Sequence, residues 1–264
     1  MSLVPGRLAA AAAALATLGH LGPAVAGVPG LLPRCSATLA GRGRPDHIAL
    51  TFDDGPHPYG TPAILDVLAE HRVTATFFLI AEALERHPDI GRRIADEGHE
   101  IAVHGWNHRP LPAVPPWSTL SEMRRARDVI ADITSVTPRW FRPPYGVATG
   151  AALAAAVRCE LTPIWWARWG RDWSAKATPE RVAVAVLGNA SGGETVLLHD
   201  SDSYGTAGSW RVTAAALPVI LDGYAARGWE VGPLAAHGIA AVPGTHSAPS
   251  PPDRRNSSRP ARKT

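Results

Sequence analysis

The chain has 264 residues, of which 45% are hydrophobic and 19% are charged, and its formal net charge is +3. This length and apolar content suffice for a substantial buried core, so a wholly disordered chain, a collagen-like fibre and a small disulfide-stapled scaffold are excluded. Outside the N-terminus no stretch approaches about 18 consecutive apolar residues, which argues against a polytopic membrane protein and predicts no stable membrane span.

The positive charge lies near the C-terminus. Residues 251–264 contain five basic residues and Asp253, a net charge of +4, which leaves −1 for the rest of the chain. A basic surface that would bind nucleic acid is therefore not expected on the folded body. Residues 239–264, rich in Pro, Ser, Asn and Arg, are predicted to form a disordered basic tail.

The first 45 residues allow two interpretations. Arg7, the apolar run Leu8–Leu21 and the small residues Ala24–Ala26 outline a secretory signal peptide, which predicts a secreted or cell-envelope protein. Because Gly19 and His20 interrupt the run, the alternative is an Ala-rich helix attached to a cytoplasmic domain. The sequence also leaves open whether its two cysteines, Cys35 and Cys159, form a disulfide or remain buried thiols.

From residue 46 onward, short apolar runs alternate with longer amphipathic or Ala-rich segments. The runs predict strands at 47–52, 76–80, 100–103, 139–141, 162–166, 195–198 and 229–231. The segments between them predict helices at 62–70, 81–97 with a break at Pro88, 120–133, 151–157, 179–187 and 213–226. This alternation predicts a single α/β domain over residues 46–238, with about seven parallel strands. Because about 185 residues are few for eight βα units, we expect a distorted or incomplete (β/α) barrel.

Polar residues follow most of the predicted strands directly or closely. Six of them are candidates for chemistry: Asp53, Asp54, His104, Arg142, Asp172 and His199. In a parallel barrel the carboxyl ends of all strands open onto one face, so we expect these side chains to meet in one site.

Two of these segments indicate a metal. The doublet Asp53-Asp54 lies in TFDDGP, where two adjacent carboxylates favour a cation, although Asp-Gly-Pro is equally typical of a plain turn. His104 and His108 lie four residues apart in HGWNH, a spacing that suits a transition metal, although two histidines alone are more often surface or core residues. With Asp54 they make a two-His-one-carboxylate set that leaves coordination positions open.

Five segments, in this order, resemble the five motifs of the polysaccharide deacetylases (the NodB-homology domain, carbohydrate esterase family 4). They are TFDDGP, HGWNH, FRPPYG, the stretch Arg171–Trp173, and Leu197-Leu198-His199, and they lie between Asp46 and Leu234. The combination is much more specific than any one motif, and it spans the whole predicted domain.

The resemblance implies that Asp54, His104 and His108 hold a divalent metal, usually Zn²⁺. The same ligand types also accommodate Co²⁺, Ni²⁺ or Fe²⁺. It further implies that Asp53 is the general base and that Arg142 orients and charge-balances it.

The resemblance also assigns residues around the substrate. His199 is expected to be the general acid, and the backbone N–H of Tyr145 to complete an oxyanion hole. Leu197 is expected to line the pocket for an acetyl methyl group. Sugar rings stack on indoles, so we expect Trp173, and with it Trp106, at a glycan groove, and the other tryptophans in the core.

Two positions depart from the family pattern. Gly105 stands where Ser or Thr commonly follows the first histidine and steadies the loop. Trp169 stands where the fourth motif commonly has an Asp, so the carboxylate that keeps His199 protonated is expected to be Asp172, with Asp200 as the other candidate.

These expectations describe a monomeric, metal-dependent hydrolase that removes the N-acetyl group from glycans containing N-acetylglucosamine, of the chitooligosaccharide or peptidoglycan type, and releases acetate. One alternative is a hydrolase of a non-sugar amide or cyclic imide on the same scaffold. Another is a glycan-binding protein without catalysis, which would need a missing base, acid or ligand. Histidines outside the motifs, among them His57, His71, His87 and His99, are expected to be structural or solvated.

Overall fold

The computed structural model describes residues 14–27 and 36–241. Eight strands lie in the second of these ranges: β1 (His47–Asp53), β2 (Thr76–Ile80), β3 (Glu100–Gly105), β4 (Trp140–Phe141), β5 (Thr162–Pro163), β6 (Arg168–Trp169), β7 (Thr195–His199) and β8 (Glu230–Gly232). Seven α-helices lie between these strands: α1 (Gly60–His71), α2 (Ala81–Arg86), α3 (Pro88–Asp96), α4 (Pro116–Thr134), α5 (Gly150–Arg158), α6 (Pro179–Leu187) and α7 (Ser209–Ala225).

The strands form one parallel sheet in the order β5-β4-β3-β2-β1-β7-β6, and β8 pairs with the amino-terminal half of β1. Strands β5 and β6 lie at opposite ends of this order, yet only residues 164–167 connect them. An extended chain of that length spans about 18 Å at most, so the sheet has to curl back on itself. The predicted distorted, incomplete (β/α) barrel is confirmed; within the described residues no ladder joins β5 to β6.

The prediction of a single strand over residues 162–166 is wrong. The N–H of Ile164 donates to the carbonyl of Phe141 in β4, whereas the N–H of Ala167 donates to the carbonyl of Thr195 in β7. The segment therefore leaves one edge of the sheet and joins the other, which ends β5 early and begins β6, a strand that the apolar pattern did not indicate.

The predicted helix boundaries at Pro88 and at residues 179–187 are confirmed. His87 separates α2 from α3, and Pro88 is the first residue of α3. Helix α6 has the predicted bounds, with the Thr178 side chain accepting a hydrogen bond from the Arg181 N–H. A threonine cap followed by proline therefore located the start of this helix from sequence alone.

The two faces of the sheet are distinguished by the period of two along each strand. In β1, Ile48, Leu50 and Phe52 belong to the large core beneath the helices. Ala49 belongs to a smaller cluster inside the barrel, together with Phe78, Ala102, Trp140, Ile164 and Leu234. The residues at positions 51 and 53 of β1 therefore also face the barrel interior.

Residues 14–21 are helical and are followed by a short 3-10 helix at Gly22–Gly27. The carbonyl oxygen of Gly19 lies 2.3 Å from the point where a Cβ on Gly150 would be, so this segment lies against the start of α5. Residues 36–45 also contact the barrel, where the Trp165 N–H donates to the carbonyl of Leu39. Among the described helices, none has the length and apolar character needed to cross a membrane.

Two expectations concern residues outside the described ranges. Cys159 is buried near the end of α5, but Cys35, its candidate partner, lies outside. The predicted tail also lies outside from residue 242 onward.

Candidate active site

The candidate catalytic side chains share the inward face of the sheet at its carboxyl edge. Asp53 in β1 is the direct neighbour of His199 in β7. His104 lies two residues after the inward-facing Ala102, and Arg142 two residues after the inward-facing Trp140. Strand ends and side-chain parity together thus bring these four residues to one place.

A candidate metal centre lies at this edge. Asp54, His104 and His108 each offer one ligand atom, and the three atoms lie within 4.8 Å of one another. Asp54 Oδ1 lies 3.3 Å from His104 Nε2 and 3.2 Å from His108 Nε2. Asp54 adopts a left-handed backbone conformation with φ of 77°, in a turn that directly follows β1.

The chemistry of these donors fits a divalent cation. Burial alone would raise the pKa of the Asp54 carboxyl, but the nearby imidazoles of His104, His199 and His108 lower it to about 2. Burial and the neighbouring His104 lower the pKa of His108 to about 4. Both groups are therefore deprotonated at neutral pH, as metal ligands must be. Within residues 14–27 and 36–241, Asp54 Oδ1 is buried and has no hydrogen-bond partner, which leaves its lone pairs available.

Asp53 is held by a buried arginine. Arg142 is fully buried, and its Nη1 donates to Asp53 Oδ1 at 2.7 Å and to Thr51 Oγ1 at 2.8 Å. Its Nη2 donates to the carbonyl of Trp165 at 2.8 Å. The carbonyl of Arg142 lies 2.8 Å from His104 Nδ1, so the same residue orients the candidate base through its side chain and a candidate metal ligand through its backbone.

His199 is paired with Asp172. The two side chains meet at 2.9 Å between Nδ1 and Oδ1, and the other oxygen of Asp172 accepts from the His199 N–H at 2.7 Å and from Thr213 Oγ1 at 2.8 Å. Burial alone would lower the pKa of His199, but the charge and hydrogen bond of Asp172 raise it to about 9. The imidazole is therefore protonated at neutral pH.

The structure distinguishes Asp172 from Asp200, the two candidates for the partner of His199. Asp200 points away to Thr61, whose Oγ1 donates to Asp200 Oδ2 at 2.5 Å. Its burial, together with the charge of Asp54, raises its pKa to about 7. Asp172, and not Asp200, is the partner of His199.

Asp53, His199 and the three candidate metal ligands line a cleft of about 650 Å³ including its open mouth, whereas Arg142 and Asp172 lie behind its wall. Tyr145, Leu197 and Trp173 lie in its wall, as the sequence predicts, and Trp166, Trp169 and Tyr204 lie there as well. The wall combines aromatic surface with a few converging polar groups, as small-ligand sites commonly do.

The comparisons with known proteins agree with this geometry. The family profile described as polysaccharide deacetylase matches residues 40–164. A chitooligosaccharide deacetylase from a Bradyrhizobium species is 37% identical over 194 residues, which cover 71% of this chain and 88% of that protein. This chain belongs to the polysaccharide deacetylase family.

Two further relatives connect the family to its solved structures and to a second named substrate. A peptidoglycan-N-acetylglucosamine deacetylase from Bacillus cereus is 35% identical over 154 residues, covering 58% of this chain and 56% of that protein. The crystal structure of the Bc1960 peptidoglycan N-acetylglucosamine deacetylase superposes with a TM-score of 0.71 at 29% identity, covering 78% of this chain and 94% of that one.

The tryptophans of this polysaccharide deacetylase family member do not all lie where the sequence analysis expects them. Trp166, Trp169 and Trp173 follow one another along the cleft at centroid distances of 5.8 and 5.3 Å, and Trp173 meets His199 edge-on at 5.1 Å. The expectation that Trp166 and Trp169 belong to the core is wrong. Trp106 does not line the cleft, because its ring packs beneath the guanidinium of Arg125 at 3.4 Å.

Sequence reasoning missed three residues of this site. Thr51 and Thr213 hold Arg142 and Asp172, and Tyr204 contacts His108. The signal for Thr51 was present in the sequence, since it lies two residues before Asp53 on the same strand face. Tyr204 lies on the loop after β7, five residues beyond His199, and nothing in the local pattern distinguishes it.

Proposed function

We propose that this polysaccharide deacetylase family member is a metal-dependent N-deacetylase of glycans that contain N-acetylglucosamine, and that it releases acetate. One observation carries the proposal: a candidate metal centre, an arginine-held carboxylate and a protonated histidine line the same cleft. Amide hydrolysis needs these three functions: an electrophilic centre, a base for water and an acid for the leaving amine. The relatives named as chitooligosaccharide and peptidoglycan deacetylases support this substrate class.

A divalent cation held by Asp54, His104 and His108 would supply Lewis acidity that polarises the amide carbonyl and acidifies a water molecule. Asp53 accepts the proton of the attacking water. Its oxygen Oδ1 is held by Arg142, so the carboxylate is fixed before substrate arrives and the guanidinium compensates its buried negative charge.

His199 donates a proton to the departing amine. An amine leaves a tetrahedral centre poorly unless it is protonated, and Asp172 keeps the imidazolium charged at neutral pH. Because Asp172 accepts hydrogen bonds from both the side chain and the backbone of His199, the ring is fixed in orientation as well as in charge.

Three wall residues complete the substrate site in this proposal. The N–H of Tyr145 donates to the developing oxyanion, and Leu197 contacts the acetyl methyl group. Trp173 presents an indole beside His199, where the apolar face of a sugar ring can stack. Each of these residues lines the cleft.

An acetate-release panel tests the proposal. The protein is loaded with Zn²⁺ and offered chitooligosaccharides, peptidoglycan fragments and simple N-acetyl amides, with and without a chelator. We expect release from the glycans that the chelator stops and added Zn²⁺ restores. His108→Ala should abolish release, whereas His71→Ala, a histidine in α1 outside the cleft, should retain it.

Two results would overturn the proposal. Hydrolysis of simple amides with no glycan hydrolysed would assign the site to a non-sugar substrate. Binding of the glycans with no acetate released by the Zn²⁺-loaded protein would indicate a glycan-binding protein.

A further inference from the structure

The two candidate histidine ligands differ in how their rings are held. The Nδ1 of His104 lies 2.8 Å from the carbonyl of Arg142, an arrangement that fixes the ring and directs Nε2 at the metal centre. The Nδ1 of His108 is buried and has no hydrogen-bond partner in the part of the chain that the structure describes. Metal-ligating histidines usually use their second nitrogen to hold the ring in place, so another contact has to orient His108.

Two tyrosines make that contact. The ring of Tyr204 stacks on His108 with a centroid distance of 4.1 Å and an interplanar angle of 25°, and the ring of Tyr145 lies 4.2 Å away at 58°. Both rings belong to other loops than His108, so the aromatic contacts connect the HGWNH loop to the rest of the cleft.

The loop of His108 needs this support. Gly105, which directly follows His104, has no side chain that could hold the loop, and its φ of 113° lies in a region that favours glycine. A steadying hydroxyl is therefore missing from the loop itself.

Tyr204 is held in turn by a contact between two loops. His57 Nδ1 lies 2.9 Å from the N–H of Gly60 and accepts its hydrogen bond, which leaves the proton on Nε2. His57 Nε2 lies 3.1 Å from Asp202 Oδ1, and Asp202 Oδ2 accepts from the Gly208 N–H at 2.6 Å. Asp202 therefore connects the loop after β1 with both ends of the segment that carries Tyr204.

We propose that Tyr204 is a positioning residue for the metal ligand His108, and that the contact between His57 and Asp202 holds Tyr204 in place. The stacked ring replaces the hydrogen bond that His108 Nδ1 lacks and the hydroxyl that Gly105 lacks. The inference rests on the metal centre of the proposed function, and the measurement that tests it requires no substrate.

The test is Zn²⁺ binding to the apoprotein, measured in competition with a chromophoric chelator. Removing a group that orients a ligand typically weakens metal affinity about 10-fold or more, so we expect Tyr204→Ala to bind Zn²⁺ about tenfold more weakly. Tyr204→Phe keeps the ring and should stay within about twofold of the wild type. Trp117→Ala is the control, because it removes an exposed ring on α4 outside the cleft, and it should leave Zn²⁺ affinity unchanged.

The second part of the inference is tested with His57→Asn and Asp202→Asn. Asn at position 57 retains an acceptor for the Gly60 N–H but cannot reach Asp202. We expect each variant to weaken Zn²⁺ binding by a smaller factor than Tyr204→Ala, and we expect His57→Asn to add nothing in the Tyr204→Ala background.

Zn²⁺ affinity of Tyr204→Ala within twofold of the wild type would overturn the inference. If the Ala variant does not fold, Tyr204→Leu, which retains bulk without a flat ring, takes its place with the same expectation. Additive losses in the double variant would overturn the role of His57. If Zn²⁺ binding weakens in Tyr204→Ala but the Zn²⁺-loaded wild type releases no acetate, the proposed function is contradicted and this inference is still supported.

Discussion

Replacing Asp172 by Asn tests the role of the pair that Asp172 forms with His199. The substitution keeps the shape of the side chain and an oxygen that can accept from Thr213, but it removes the charge that raises the pKa of His199 to about 9. Without that charge, burial still lowers the pKa of His199 while Asp54 and Asp53 still raise it, so we expect the folded-state value to fall from about 9 towards the ordinary value of about 6.5.

The magnitude follows from these two values. At pH 7.5 an imidazole with a pKa of about 9 is about 97% protonated, and one with a pKa of about 6.5 is about 9% protonated. We therefore expect kcat of Asp172→Asn to fall about tenfold or more at pH 7.5 and to recover as the pH falls below about 6.5. A bound cation lowers the pKa of His199 in both proteins, so the quantity to compare is the distance between their alkaline limbs, about two pH units or more.

The assay is acetate release from a chitooligosaccharide as a function of pH. Thr213→Val is the matched control, since it removes one hydrogen bond from Asp172 and leaves its charge, and its alkaline limb should stay within about half a pH unit of the wild type. An Asp172→Asn limb that coincides with the wild-type limb would refute the reasoning.

Three further predictions concern other parts of the molecule. Asp53→Asn retains an oxygen for Arg142 but cannot accept a proton, so acetate release should fall by a factor of about 10² to 10⁴; a variant with more than a tenth of wild-type activity would contradict the assignment. His47 and His237 are buried with their Nδ1 atoms 2.8 Å apart, and burial together with the neighbouring His47 lowers the pKa of His237 to about 4. Because the pKa of His237 is lower in the folded state than in the unfolded state, its contribution to the free energy of unfolding is present above pH 6.5 and is lost as the pH falls towards 4, by about 2 kcal/mol between pH 7 and pH 5. Urea unfolding of His237→Gln should show a smaller dependence of this free energy on pH. An unchanged pH dependence would refute the assignment. Gly105→Ser introduces the residue common in the family but places a side chain at φ of 113°, so the free energy of unfolding should fall by about 1 to 3 kcal/mol; an increase, measured by urea unfolding, would show that the loop relaxes.

Much of the site was predictable because its members lie at the ends of strands. The apolar runs before Asp53, His104 and His199 indicate buried strands, and the rule that parallel strands share a carboxyl face brings the three residues together. Parity along each strand then selects the inward side. These are local signals, repeated in several segments, and the structure places all three residues in one cleft.

Contacts between loops were not predictable in the same way. The sequence leaves both Asp172 and Asp200 as partners for His199, and the choice depends on which carboxylate the packing directs at the ring. The stacking of Tyr204 on His108 and the exchange of partners along residues 164–167 likewise depend on how the ends of a curled sheet approach each other.

The sequence by itself thus determined that this chain builds a parallel barrel with an Asp-His-His set, a candidate base and a candidate acid at one face. The resemblance to the family already implied that Arg142 orients Asp53, and it left Asp172 and Asp200 as candidates for the partner of His199. Only the tertiary structure decided that Asp172 holds His199, that the Arg142 carbonyl orients His104 and that the tyrosines contact His108. The physical reason is distance along the chain. Strands and caps arise from neighbouring residues, whereas these orienting contacts join loops far apart in sequence, whose approach is set by how the whole sheet packs and curls.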